Sequence, residues 1–286
     1  MTNKYAVSSP QLKKFLEATK KDTKLIGQVE RHILTRPTEF RERKVIHPSE
    51  LIKGEWCKRA AYFAILGQYV PTEDKPSLRR QSIFDEGHAI HAKWQGYIRE
   101  MGNLYGMWSN GSWDISANVK GSAKYREVPL SSPKHMISGH ADGWVKGLGE
   151  DFLIEIKSIG TGTIRMEAPH LLTGDIETSW KNIKNPFRTH ILQGQVYLHL
   201  THIMAEEGRL ESAPNEIVFI YELKANQDYK EFVVTYDPKL VEEFFDCALD
   251  VVWAVEHNRS PVCSVSPKRG YCKSCEPYKE VKDVNK

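Results

Sequence analysis

The segment Ile137–Ser158, ISGHADGWVKGLGEDFLIEIKS, constrains this chain more than any other stretch. Apolar runs flank the Gly147-Leu148-Gly149 turn, so the pattern predicts a hairpin in which Asp142 ends one strand and Phe152–Ser158 forms the next. Side chains alternate across a strand, which sends Phe152, Ile154 and Ile156 to one face and Glu155 and Lys157 to the other. The charged pair then need not enter the apolar layer. Asp142 lies upstream of Glu155 with twelve residues between them, so the turn gathers two carboxylates and an ammonium at one place. Two carboxylates suit a hard divalent cation such as Mg2+ or Mn2+, and a neighbouring lysine can hold a water or a phosphate oxygen. Spacing alone favours an edge hairpin with a solvated Glu/Lys pair.

Further residues of the same chemical character lie on either side. Upstream, Phe84–Glu100 has the period of a helix with Ile90, Trp94 and Tyr97/Ile98 on its apolar stripe. His91 sits beside that stripe, and a neutral imidazole is a good donor to Mn2+ alongside carboxylates. His88 is the weaker candidate. Downstream, Arg188–Glu207 reads as a helix that places Gln193 and Tyr197, at i and i+4, on one face. Periodicity alone makes Tyr197 a packing residue and Gln193 a solvated one.

Taken in order, Gly87–His91 (G-x-x-x-H), Gly139–Gly143 (G-H-A-D-G), Glu155–Lys157 (E-x-K) and Gln193–Tyr197 (Q-x-x-x-Y) resemble the motifs of RecB-type nucleases of the PD-(D/E)XK superfamily. The resemblance covers roughly residues 46 to 277. It departs from the superfamily name where Gly139 or His140 stands in place of a proline before the aspartate, a position at which RecB-type members vary. It implies an α/β fold with a restriction-endonuclease-like core, a central mixed β-sheet flanked by helices. It implies His91, Asp142 and Glu155 as metal ligands, with the Ile156 carbonyl as a fourth. Lys157 would be the catalytic lysine, with Gln193 and Tyr197 orienting the DNA backbone. The implied activity is a Mg2+- or Mn2+-dependent DNA exonuclease acting on single strands or ends, in recombination, DNA processing or spacer acquisition. A structure-specific endonuclease and a DNA-binding assembly subunit working with a partner enzyme are the alternatives.

Five cysteines add a second signal. Cys263, Cys272 and Cys275 read C-x8-C-x2-C in a Pro/Gly/Ser-rich stretch suited to wrapping a metal, and Cys57 is the natural fourth ligand because it precedes a helix able to dock with the C-terminal end. One early and three late cysteines resemble the CRISPR-associated RecB-like exonucleases and their phage relatives, which implies a 4Fe-4S cluster in a helical lobe built from N- and C-terminal parts. Recombination or CRISPR-adaptation proteins would then be partners. Four thiolates alone suit zinc equally well. Either centre would tie residue 57 to the chain's end and act structurally. Cys247 follows the helical apolar pattern with Phe244, Val251 and Val255, so it is expected as a small core residue.

A chain of 286 residues is long enough for a sizeable core. The organisation expected is an N-terminal helical extension over 1–45 and a nuclease domain over 46–286. No run approaches eighteen apolar residues, and the first residues lack a secretory pattern. Metal-spaced cysteines fit a reducing compartment, so the cytoplasm of a bacterium or phage-infected host is the expected location, with no membrane partner. The net charge of +3 does not itself point to nucleic acid. Arg31, Arg36, Arg41, Arg43, Lys44, Lys58, Arg59, Arg79 and Arg80 crowd the first third, either as a phosphate-tracking groove or as solvated helix faces. Trp56, Tyr62, Phe63, Trp108 and Trp113 are divided between base stacking and core.

Helices are expected over 10–21, 25–34, from 48 towards 57, and on to 66, with a polar linker over 35–45 and a loop over 70–80. Strands are expected over 111–115, 125–130, 136–145, 152–157, 216–223 and 229–236. Residues 160–186 read as a long irregular connection that could lie over bound DNA, helical only near 166–172. A final helix begins at Asp237-Pro238 and ends near His257.

Overall fold

The structure is a computed structural model, and it describes residues 14, 25–36, 44–68, 77–172 and 174–279. The helix expected over 10–21 lies outside these residues apart from Lys14, as does most of the linker over 35–45. The backbone divides into two compact units, residues 1–40 with 72–86 and residues 41–71 with 87–286. In the first, α1 (Ile26–Thr35) closes with the Arg36 N–H on the Ile33 carbonyl, 3.3 Å.

The second unit holds α2 (Pro48–Leu51), α3 (Lys58–Ile65) and most of α4 (Leu78–Glu100). Strands β1 (Leu104–Met107), β2 (Trp113–Ile115), β3 (Val128–Ser132), β4 (Ile137–Ala141), β5 (Gly143–Val145) and β6 (Phe152–Ile159) follow. Then come α5 (Thr161–Glu167), α6 (Ile176–Asn182), α7 (Arg188–Glu206), β7 (Glu216–Leu223), β8 (Tyr229–Thr235) and α8 (Glu242–Glu256). The sheet order is β2-β1-β5-β6-β7-β8, antiparallel except where β6 runs parallel to β7, and β3 and β4 form a separate two-stranded sheet. This is a mixed α/β fold with a central mixed sheet flanked by helices.

Strand β6 is central because its sequence is apolar on both faces, as a strand beside a parallel neighbour requires. Ile154 and Ile156 pack with Ile90 and Ile98 of α4, whereas Leu153 and Ile159 join the main core with Val196, Leu198 and Leu200 of α7. Glu155 and Lys157 therefore share a face with core residues, and Glu155 is only 3% exposed. The charged pair does enter an apolar layer, contrary to the alternation argument, because α7 covers that face. On α4 the stripe is Ile90, Trp94 and Ile98, while Tyr97 is exposed.

The span 136–145, expected as one strand, is two strands in different sheets. β4 pairs with β3 up to Ala141↔Val128, and β5 pairs with β6 from Gly143↔Ile154, so the chain changes sheets at Asp142. Two motif glycines permit this packing. A Cβ at Gly143 would lie 2.8 Å from Ile154, and one at Gly139 would lie 2.9 Å from Pro48.

Strand β1 had no expectation attached to it; it is short and carries a glycine. Residues 160–186 contain α5, a 3-10 turn and α6, whose start Asp175 caps by accepting the Thr178 N–H at 2.7 Å. Leu78–Arg80, expected in a loop, already belong to α4. Tyr62, Phe63 and Trp108 are core residues, and Trp56 and Trp113 pack partly buried against that core. Among the described residues no helix is long and apolar enough to cross a membrane.

Candidate active site

Helix α4 aims His91 and Gln95, one turn apart, at the β4–β5 junction. The His91 Nδ1 lies 3.1 Å from Asp142 Oδ1, and Gln95 Nε2 donates to the Asp142 carbonyl at 2.8 Å. Asp142 Oδ2 accepts the Ile156 N–H at 2.6 Å, just past the point where β5 stops pairing with β6. A carboxylate thus fills a vacated place in the ladder. The N–H and C=O of one strand residue point to the same edge, so the Ile156 carbonyl faces the Asp142 side too.

Across β6, Lys157 Nζ donates to Glu155 Oε1 at 2.7 Å and to Gln193 Oε1 at 3.0 Å, and Gln193 Nε2 donates to the Tyr197 hydroxyl at 2.9 Å. His91, Asp142, Glu155, the Ile156 backbone, Lys157, Gln193 and Tyr197 therefore converge from α4, β6, α7 and the β4–β5 junction. Gln193 and Tyr197 are both buried, so the solvated reading of Gln193 does not hold; α7 is covered by the sheet around Gln193. His88 is exposed and stands apart from these contacts.

The rim of the site is open and its floor is closed. His91 and Lys157 side chains are 30% and 20% exposed, against 4% for Glu155. Among the described residues Glu155 Oε2 is buried with no hydrogen-bond partner. Burial, then the Asp142 charge, push the Glu155 carboxyl up to about 7, against the pull of Lys157. Burial disfavours charge on His91 and Lys157 as well, but the neighbouring Asp142 and Glu155 outweigh it, and both groups are raised.

Several neighbours escaped the sequence reading. Gln95 follows His91 at i+4, a spacing that could have found it. The carboxylate of Glu222, 1% exposed on β7, takes Lys93 Nζ at 2.6 Å and Trp94 Nε1 at 2.7 Å, pinning α4 to the sheet beside His91. Tyr221 accepts the Phe187 N–H at 2.8 Å and hydrogen-bonds His190 Nδ1. Burial and Lys157 lower His190 to about 3, so this imidazole next to the site is neutral.

The second centre joins opposite ends of the unit. Cys57 precedes α3, and Cys263, Cys272 and Cys275 lie in the loop after α8, which packs on α3. The four buried sulfurs lie within 4.8 Å of one another. Cys57 and Cys263 sulfurs are 3.9 Å apart, and those of Cys272 and Cys275 are 3.7 Å apart. Backbone N–H groups of Ser266 and Cys272 point at the Cys263 and Cys275 sulfurs at 3.3 and 3.2 Å. Burial pushes the Cys57 and Cys275 thiols up; at Cys263 it acts the same way, but hydrogen bonds led by Ser266 win and the thiol is lowered. The set could bind a metal. Cys247 is half-buried at the border of the α8 face formed by Phe245, Ala248 and Val251, rather than in the core.

No protein-family model matches the chain, and no curated protein matches it. Among solved structures it is similar to an alkaline exonuclease, LHK-Exo, from Laribacter hongkongensis, with 16% identity over 76% of this chain and 90% of that one at a TM-score of 0.44. The same values hold for LHK-Exo in complex with dAMP. SSO0001 is 15% identical over 85% of this chain and 86% of its own, at a TM-score of 0.35.

Proposed function

We propose that this protein is a metal-dependent deoxyribonuclease whose active site is the carboxylate centre, acting as an exonuclease on single strands or DNA ends. The observation that carries this reading is Glu155. A carboxylate buried with one oxygen partnerless, beside a second carboxylate, is costly unless a cation joins it. The donors are hard carboxylate oxygens, one imidazole and a strand carbonyl, a set suited to Mg2+ or Mn2+. Asp142, Glu155, His91 and the Ile156 carbonyl would hold the ion. When bound, it supplies charge stabilisation at the phosphate and acidifies water.

The chain's own groups do the rest. Lys157, fixed between Glu155 and Gln193, presents a proton donor to the attacking water or the scissile phosphate. Gln193 spends its oxygen on Lys157 and its amide on Tyr197, so α7 sets the direction of the ammonium, and the family resemblance gives the same two side chains the role of orienting the DNA backbone. The motif order, shared with RecB-type nucleases, supports the same roles.

The cysteine centre acts as a structural clamp in this reading. The family resemblance supports a 4Fe-4S cluster there. A zinc reading has its own support: four thiolates about 2.3 Å from one tetrahedral ion stand about 3.8 Å apart, near the observed spacing. A cube places each thiolate on a separate iron and spreads them further. A brown protein absorbing near roughly 400 nm identifies iron–sulfur, and a colourless one holding stoichiometric zinc identifies the other. Either centre fits a reducing cytoplasm.

The function is tested with purified protein, Mn2+ and end-labelled single strands. Cleavage is expected, with loss in Asp142→Ala and Lys157→Ala while circular dichroism and the cysteine-bound metal stay unchanged. Full activity in those variants removes the site. Cutting of a circular single strand, which offers no ends, replaces exonuclease by endonuclease.

A further inference from the structure

Glu127 lies just before β3 and is none of the motif residues. The β3–β4 register pairs Val128 with Ala141, so one step further along the ladder sets Glu127 opposite Asp142, where the chain changes sheets. Its backbone is left-handed, φ 64°, a conformation that glycine adopts freely and a glutamate rarely. Hydrogen bonds to β1 impose it: Met107 N–H donates to the Glu127 carbonyl at 3.0 Å, and Arg126 N–H to the Met107 carbonyl at 2.8 Å. Gly106 makes room, since a Cβ there would lie 2.8 Å from the Glu127 carbonyl oxygen. A turn that could be glycine instead carries a carboxylate.

That carboxylate turns towards the site. It lies within electrostatic reach of Asp142 and His91 and beside Gln95, the side chain that also holds the Asp142 carbonyl. Burial and the Asp142 charge raise it. Glu127 thus stands on the Asp142 and His91 side of the site, and Asp142 and Glu155 act on the fixed ammonium of Lys157. Independently of Glu127, the partnerless and buried Glu155 Oε2 points to a cation as the missing member.

We propose that Glu127 is a third carboxylate of the divalent-cation centre, holding the ion together with Asp142 and Glu155, directly or through a bound water. This rests on the metal-dependent reading above. It makes the site a three-acid centre on two sheets, with the ion joining the end of the β3–β4 ladder to β6.

The test is Mn2+ binding to the full-length protein, followed by calorimetry and by the loss of the free-ion electron paramagnetic resonance signal. Variants are Glu127→Gln, Glu127→Gly and Asp142→Asn. Glu127→Gln is expected to weaken Mn2+ binding by at least about tenfold, the effect of removing a supporting or direct oxygen. Glu127→Gly relaxes the backbone, so its Tm should be no lower than the parent's while its Mn2+ affinity falls as in Glu127→Gln. Wild-type affinity in both Glu127 variants, with binding lost in Asp142→Asn, overturns the role of Glu127 alone. Unchanged binding in all three overturns the metal-dependent reading along with it.

Discussion

The two candidate metal centres sit in the same unit and are built on opposite principles. The cysteine centre is closed: its four residues are at most 8% exposed, and backbone N–H groups already point at two of the sulfurs. The carboxylate centre leaves His91 and Lys157 partly open and keeps Glu155 Oε2 without a partner. A centre with every position enclosed can only hold its ion and the chain around it, whereas one with an open rim and an unmet electrostatic demand can exchange ligands. Under the proposed function the difference is that between a clamp and a reacting site.

The largest expected effect falls on the clamp. Cys57→Ser or Cys275→Ser should leave little folded soluble protein, because binding at a structural four-thiolate site contributes on the order of 10 kcal/mol to folding. Size-exclusion chromatography and circular dichroism read this directly. A Cys275→Ser protein with the parent's Tm would erase the contrast between the centres.

A smaller effect should appear in the pH dependence of stability. The folded Glu155 titrates near 7, above the ordinary 4.5, so the native state keeps a proton that the unfolded chain releases. Stability from this group is complete below about 4.5 and is lost as pH rises through about 7. His91, also raised, loses stability in the same direction. Without added divalent cation, Tm should therefore fall between pH 5 and 8 by more than in Glu155→Gln, and Mn2+ should restore it at the upper end. Equal slopes in the two proteins would show that Glu155 is not the strained group.

The smallest change sharpens the picture within the reacting site. Gln193→Ala frees Lys157 from α7 without touching the carboxylates, so kcat should fall by about 10- to 100-fold, with Mn2+ affinity within a factor of about two. A matching loss of Mn2+ binding would move Gln193 from orienting Lys157 to supporting the ion.

Legibility divided along the same line. Cys57 with the C-x8-C-x2-C triplet, and the alternation through Phe152–Ile159, can be read because local spacing carries them. Sheet membership cannot: the apolar pattern runs on through Asp142, although that residue separates strands in different sheets. Nor does a strand's period reveal that α7 covers the face bearing Glu155, which buries a carboxylate that alternation alone need not bring into the apolar layer. β1 was too short to announce itself. Gln95 and Glu222 become visible only once α4 lies against the sheet.

By itself the sequence determined which groups are chemically able to hold metals and which strand and helices carry them, since residue type and periodicity are local properties. Only the tertiary structure decided that Asp142 changes sheets, that Glu155 loses water on one oxygen, and that a left-handed turn sets Glu127 opposite Asp142. Those outcomes depend on which surfaces exclude solvent and on which strand edges are left unpaired, and both are set by contacts between residues far apart in the chain.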